Sequence, residues 1–116
     1  MAANEPPAEL GRDIVYCRFP ISDDDTNDDM IVSASIECLR LLLERDCRTL
    51  VACSAGMSRS PVIAAAALSI LLGDRLSDTL LRITANAPRD VSPAFFSAVQ
   101  RVHATLMVAT KKKAEP

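Results

Sequence analysis

Polarity along the 116-residue chain alternates between short β-prone runs and longer helical ones. Residues 13–21 hold Ile14, Val15, Tyr16, Cys17 and Phe19, which predicts a strand that stops at an acidic, turn-rich stretch. After Asn27-Asp28-Asp29 the apolar positions Met30, Ile31, Ala34, Ile36, Leu39, Leu42 and Leu43 recur at three- and four-residue spacing. That periodicity predicts a helix, with acids set against its positive N-terminal dipole. Residues 48–53 contain Thr-Leu-Val-Ala without alternation, the pattern of a short strand buried on both faces of a parallel sheet. A small-residue loop follows, and then Pro61 and Gly73 punctuate an apolar helix over residues 60–72. Ser77 is expected to cap a short helix reaching about Ala85. Ser92-Pro93 opens the last helix, through Phe95, Phe96, Val99 and Val102.

The predicted order is β-α-β-α-α-α, without repeats or low-complexity segments. It implies an α/β layer fold: a small, mainly parallel central sheet flanked by helices, with the loop after Cys53 at the carboxyl end of a central strand. Length allows a single domain, expected over residues 13–108. Residues 1–12, with Pro6 and Pro7, read as a loose leader, and residues 109–116 as a basic tail. Apolar residues make up 49% of the chain, which is too rich for disorder. The longest apolar run, residues 62–72, is broken by Ser69 and is too short to cross a bilayer. The acidic N-terminus lacks the layout of a signal peptide. A cytoplasmic protein without membrane contact is expected.

Charge is informative by position. Five of the 15 acids fall between Asp23 and Asp29, whereas all three lysines sit at Lys111, Lys112 and Lys113. The lysine run reads as a solvated tail at a helix C-terminus, where cations are favoured. Aromatics total 3% and no basic stripe interleaves with them, so a nucleic-acid surface is not supported. The cysteines, Cys17, Cys38, Cys47 and Cys53, form no C-x-x-C pair, and His103 is distant from them in sequence. No metal site is expected from that spacing. Cys17, Cys38 and Cys47 read as structural. His103, on a helix with Val99, Val102 and Leu106, reads as a satisfied or exposed histidine rather than a catalytic one.

Chemistry concentrates in Cys53-Ser54-Ala55-Gly56-Met57-Ser58-Arg59-Ser60-Pro61. A loop closing onto a helix N-terminus points successive backbone N–H groups inward, making an anion-binding nest from residues 54–59. Gly56 permits a backbone approach that a side chain would obstruct. Arg59 presents a planar fork that matches two phosphate oxygens. The same positive field favours the thiolate of Cys53 and makes it a nucleophile at neutral pH. Ser60 is placed to hydrogen-bond that sulfur and improve it as a leaving group. A packing cysteine ahead of a helix would need none of Gly56, Arg59 or Ser60.

This loop resembles the signature of the cysteine-dependent protein tyrosine phosphatases, and the short domain resembles their dual-specificity branch. The likeness runs from about Tyr16 to Gln100. It includes a Pro-Ile-x-Asp turn (Pro20 to Asp23) before the first helix and an Arg-x-x-Ser-Pro element (Arg89, Ser92, Pro93) before the last. The resemblance implies in-line attack by Cys53 on phosphorus and a cysteinyl-phosphate intermediate. Arg59 and the amides of Ser54, Ala55, Gly56, Met57 and Ser58 would hold the phosphate oxygens. No cofactor is implied. The leaving group needs a proton from a carboxylic acid on a neighbouring loop. Counting back from the first helix selects Asp24; counting forward from Pro20 selects Asp23. Asp24 is the expected acid and Asp23 its rival.

The chain departs from the family in carrying Ala52 where a histidine usually precedes the cysteine, and Ala94 where an asparagine is common. A loop without lysine favours a phosphorylated protein or peptide substrate over a phosphoinositide. Relatives also place a further strand before the segment matching residues 14–19, so a thin sheet with an open edge beside residues 50–52 is expected. The alternatives are a non-catalytic phosphate-binding module that keeps the pocket, and a sulfur-transfer or arsenate-reducing enzyme that uses a loop cysteine.

Overall fold

In the computed structural model, residues 17–53, 58–85 and 90–114 are described. Among these described residues four helices form: α1 (Asp29–Glu44), α2 (Arg59–Leu72), α3 (Leu76–Ile83) and α4 (Pro93–Ala114). Asp28 caps α1, its carboxylate accepting the Met30 N–H at 2.9 Å. The helix closes with Asp46 in the left-handed region (φ 57°), where the Cys47 and Asp46 N–H groups reach back to the carbonyls of Leu42 and Leu43. Such a wrap satisfies carbonyls that the last turn leaves without intrahelical partners.

α2 is apolar on nearly every face, and a helix of that kind must be covered on all sides. It packs against α1, α3 and α4, while α1 also meets α4. Ala65, Ala66 and Ala67 are wholly buried between bulkier neighbours. Val32, Ile36 and Leu39 from α1, Leu76 and Leu80 from α3, and Phe95, Val99 and Val102 from α4 complete the core. Each of the fully buried Ile, Val and Phe side chains contributes roughly 1.5–3 kcal/mol relative to exposure. Gly73 ends α2 at φ 76°, as its position after the apolar run predicts. Ser92 opens α4, its hydroxyl accepting the Phe95 N–H at 3.3 Å. Ser77 does not cap α3. That role falls to Arg75, whose carbonyl accepts both the N–H and the hydroxyl of Thr79.

The expected parallel sheet does not form among the described residues, and the α/β assignment is corrected to a mainly helical one. A strand is held by ladder bonds to a neighbour and by burial of its side chains. Residues 47–53 run on without regular structure, and Leu50 is 90% exposed. Only Val51 packs partly against the core. Ile21 makes an isolated bridge and is fully buried, whereas residues 13–16 of the other expected strand lie outside the described residues. The physical reason is that α1, α3 and α4 together cover α2. Helices thus do the work expected of a sheet, and the expected open sheet edge is corrected with it. No helix among the described residues is long and apolar enough to cross a membrane.

Candidate active site

The site assembles where three separate segments meet at the start of α2. Cys53 arrives at the end of the irregular segment, and its sulfur lies against the first turn of the helix. The Ser60 N–H donates to the sulfur at 3.4 Å, and the Cys53 thiol reaches the Ser60 hydroxyl at 3.3 Å. A hydroxyl hydrogen rotates to suit its partner, so on ionisation Ser60 Oγ can turn and donate to the thiolate. One backbone donor, the Ser60 N–H, and the first turn of α2 thus lie against this sulfur.

Arg59 opens α2 directly beside this pair. Its Nη1 donates to the Ile21 carbonyl at 3.2 Å, which ties the guanidinium to the turn preceding α1. Ile21 is itself locked in the core. The arginine therefore hangs from a rigid point on one side and from α2 on the other.

Ser58 sits at the N-cap of α2, yet its side chain does not cap the helix. The hydroxyl donates to Asp23 Oδ1 at 2.6 Å and accepts the Ser92 N–H at 3.0 Å. One buried side chain thus joins the acidic turn and the start of α4 to the residue preceding Arg59. Asp23 is the carboxylate brought to the loop. Asp24 is turned away, its Oδ1 accepting the N–H and hydroxyl of Thr26 at 2.9 and 2.5 Å. Those bonds, the hydroxyl first, hold its carboxyl below the usual carboxylate range. The turn is closed on itself by Asn27, which accepts the Ser22 N–H at 2.8 Å and donates to the Ser22 carbonyl at 2.8 Å.

Of the residues expected at the site, Cys53 meets Ser60, Ser58 meets Asp23, and Arg59 bonds to the Ile21 carbonyl, whereas the Asp24 carboxylate is engaged by Thr26. Ser54, Ala55, Gly56 and Met57 lie outside the described residues, as does Arg89. The signal separating the two aspartates was present as Asp24-Asp25-Thr26. An aspartate two residues before a threonine has a local backbone partner for its carboxylate. Beside the site, an open cavity of about 410 Å³ is lined by Leu80, Asp90, Val91, Pro93 and Phe96. It adjoins Ser92 rather than the Cys53 sulfur. Among the described residues, no group of three or more His, Cys, Asp or Glu side chains converges as metal ligands would.

Comparison with known proteins gives no matching family model, no matching curated protein and no matching solved structure.

Proposed function

We propose that the chain is a phosphoric monoester hydrolase. It acts on phosphotyrosine, phosphoserine or phosphothreonine in proteins through a cysteinyl-phosphate intermediate. The observation that carries this reading is the Cys53 sulfur held by the Ser60 N–H and hydroxyl beside Arg59. The loop resemblance supports it independently of the fold.

In the first step the Cys53 thiolate attacks phosphorus opposite the leaving oxygen. The sulfur–phosphorus bond forms as the phosphorus–oxygen bond breaks, and the departing alkoxide or phenolate takes a proton from Asp23. Arg59 and the loop amides hold the equatorial oxygens, where charge develops. In the second step water attacks phosphorus, Asp23 takes the water's proton, and the sulfur leaves as a thiolate that Ser60 Oγ stabilises. Asp23 replaces Asp24 in this role because Ser58 ties it to the loop, whereas Thr26 engages Asp24. A loop with Met57 and Ser58 in place of lysine favours phosphoprotein over phosphoinositide. A thiolate nucleophile requires a reducing compartment, which favours the cytoplasm.

Hydrolysis of p-nitrophenyl phosphate by the full chain tests the reading. Cys53→Ser is expected to lose at least about 10³-fold in kcat. Rapid acid quench during turnover is expected to trap phosphorus on Cys53. A wild-type chain that binds inorganic phosphate but never turns over would instead be the non-catalytic phosphate-binding module. Failure of both binding and turnover would remove the phosphate reading altogether.

A further inference from the structure

We propose that the cavity at the start of α4 is a specificity pocket for an arginine side chain flanking the phosphorylated residue of a peptide substrate. The assignment rests on the reading of Cys53, Arg59 and Ser60 as a phosphate site, and adds the class of sequence presented to it. About 410 Å³ of open space is bounded by Leu80, Val91, Pro93 and Phe96, with Asp90 the one charged residue of the described lining. Pockets that hold a ligand group run to roughly 300–1,000 Å³. Leu80 is buried, Val91 and Phe96 are half-buried, and Pro93 and Asp90 are exposed. The lining therefore grades from an apolar interior to a carboxylate in contact with solvent. Asp90 forms no ion pair among the described residues.

The wall of this cavity is fastened to the candidate site. Val91 and Pro93 flank Ser92, whose N–H donates to Ser58 Oγ at 3.0 Å. Ser58 directly precedes Arg59 and donates to Asp23. Ser92 also starts α4, its hydroxyl accepting the Phe95 N–H at 3.3 Å and its carbonyl the Phe96 N–H at 2.9 Å. The wall is thus set before a ligand arrives, which limits the ordering cost of binding. An extended peptide advances about 3.3–3.6 Å per residue, so a side chain reaching the cavity belongs within about three residues of the phosphorylated one. Arginine matches this lining at both ends of its side chain. The stem covers apolar surface, and the guanidinium meets the Asp90 carboxylate with paired N–H groups. The Phe96 ring adds the attraction of an aromatic face for a planar cation. A glutamate at the same place would set a second carboxylate against Asp90.

Binding of fluorescent phosphotyrosine peptides to the full chain with Cys53→Ser tests the pocket without turnover. The peptides carry a single arginine, glutamine or glutamate at successive positions around the phosphotyrosine. At one position arginine should bind about 5-fold tighter than glutamine, and glutamate weaker than both. Adding Asp90→Asn should remove most of that preference, and Asp90→Arg should reverse the order of the arginine and glutamate peptides. Asp90 is exposed, so both variants should melt as the parent does. The proposal is overturned if arginine and glutamine peptides bind equally at every position. It is overturned equally if Asp90→Arg keeps the arginine preference, which would move the selection to the acidic turn at Asp23 to Asp25. Hydrolysis of p-nitrophenyl phosphate by the wild-type chain reports separately on catalysis. Turnover without an Asp90-dependent preference removes the pocket alone. An Asp90-dependent preference without turnover removes the hydrolase alone and leaves the pocket to a phosphate-binding module. Failure of every phosphopeptide to bind overturns the pocket whatever the turnover.

Discussion

The two ends of α2 are built around buried serines put to different uses. Ser58 and Ser69 each bridge α4 to a loop through one hydroxyl. Ser58 accepts the Ser92 N–H and donates to the Asp23 carboxylate. Ser69 meets His103 Nε2 at 2.9 Å and donates to the Asp74 carbonyl. At the C-terminal end Ser69 and His103 are buried and Asp74 is half-buried, and the Ser69 carbonyl also accepts the N–H groups of Gly73 and Asp74. That end is a closed lock. At the N-terminal end the serine, next in sequence to Arg59 and two residues before Ser60, which meets the Cys53 sulfur, leaves the helix uncapped and holds the exposed Asp23 carboxylate. Helix N-termini left to receive an anion cannot also be filled by their own cap. The same residue type thus closes one end and, in the proposed mechanism, positions the general acid at the other.

The sharpest break in this comparison is expected at the carboxylate. Asp23→Asn should lower kcat for an aryl phosphate by about 10²-fold or more, the ordinary contribution of a general acid. Asp24→Asn should stay within about 3-fold, because its carboxylate serves the turn. Initial rates across pH decide it. The reverse ranking would return the acid role to Asp24 and leave the Asp23–Ser58 bond purely structural.

Next come the serines themselves. Ser69→Ala strands His103 Nε2 and the Asp74 carbonyl, and should cost about 2 kcal/mol in urea unfolding while activity per folded molecule holds. Ser58→Ala should cost about 1 kcal/mol or less, because Asp23 is open to water. Its larger effect should be on kcat, roughly 10-fold, through loss of Asp23 placement. Equal stability losses at the two serines would erase the distinction drawn between the ends.

How much of this was legible in the sequence depended on the range of the interaction. Helix starts and stops set by local chemistry were readable: Asp28 before α1, Gly73 after α2, Ser92 before α4. So was the Cys53-to-Ser60 pairing, because seven residues of loop and helix turn fix it. The sheet was not readable, since the apolar run at residues 49–52 carries no record of whether a partner strand will lie beside it. Its β-prone composition expresses a local preference that helices covering α2 overrode. The preference for Asp23 over Asp24 in the proposed mechanism was hidden for a related reason. It turned on Ser58, 35 residues away, and on Thr26, whose local claim on Asp24 went unused.

The closed end should also respond to pH. The Ser69 hydroxyl has one hydrogen, donated to the Asp74 carbonyl, so His103 Nε2 must carry the donated proton and Nδ1 is the site left to titrate. Burial pushes the His103 pKa below its ordinary 6.5. As pH falls below about 6.5 the unfolded chain takes up a proton that the folded chain resists, so stability declines with falling pH until the folded pKa is reached. Above that window the contribution is constant. Thermal melting should therefore fall by a few degrees between about pH 7 and pH 5.5, and His103→Gln should flatten that segment of the profile. A wild-type profile already flat there would mean that the imidazole is hydrated in the folded chain.

The smallest expected effects separate backbone conformation from side-chain bonding at these helix ends. Gly73 sits at φ 76°, and a Cβ there would meet nothing within 4 Å. Gly73→Ala should then cost only the left-handed backbone penalty, about 1 kcal/mol, read from urea unfolding. Asp46, at φ 57° after α1, bears the same penalty with no glycine to relieve it. Asp46→Gly should accordingly gain a few tenths of a kcal/mol, with the opposite sign from Gly73→Ala. Ser58 has φ −133° and owes nothing to this conformation, so its end of α2 gains nothing from glycine. A cost well above about 1 kcal/mol at Gly73 would show that the added methyl disturbs the Ser69–Asp74–His103 bonds themselves. The lock would then be a single cooperative unit, and its serine could not be compared alone with Ser58.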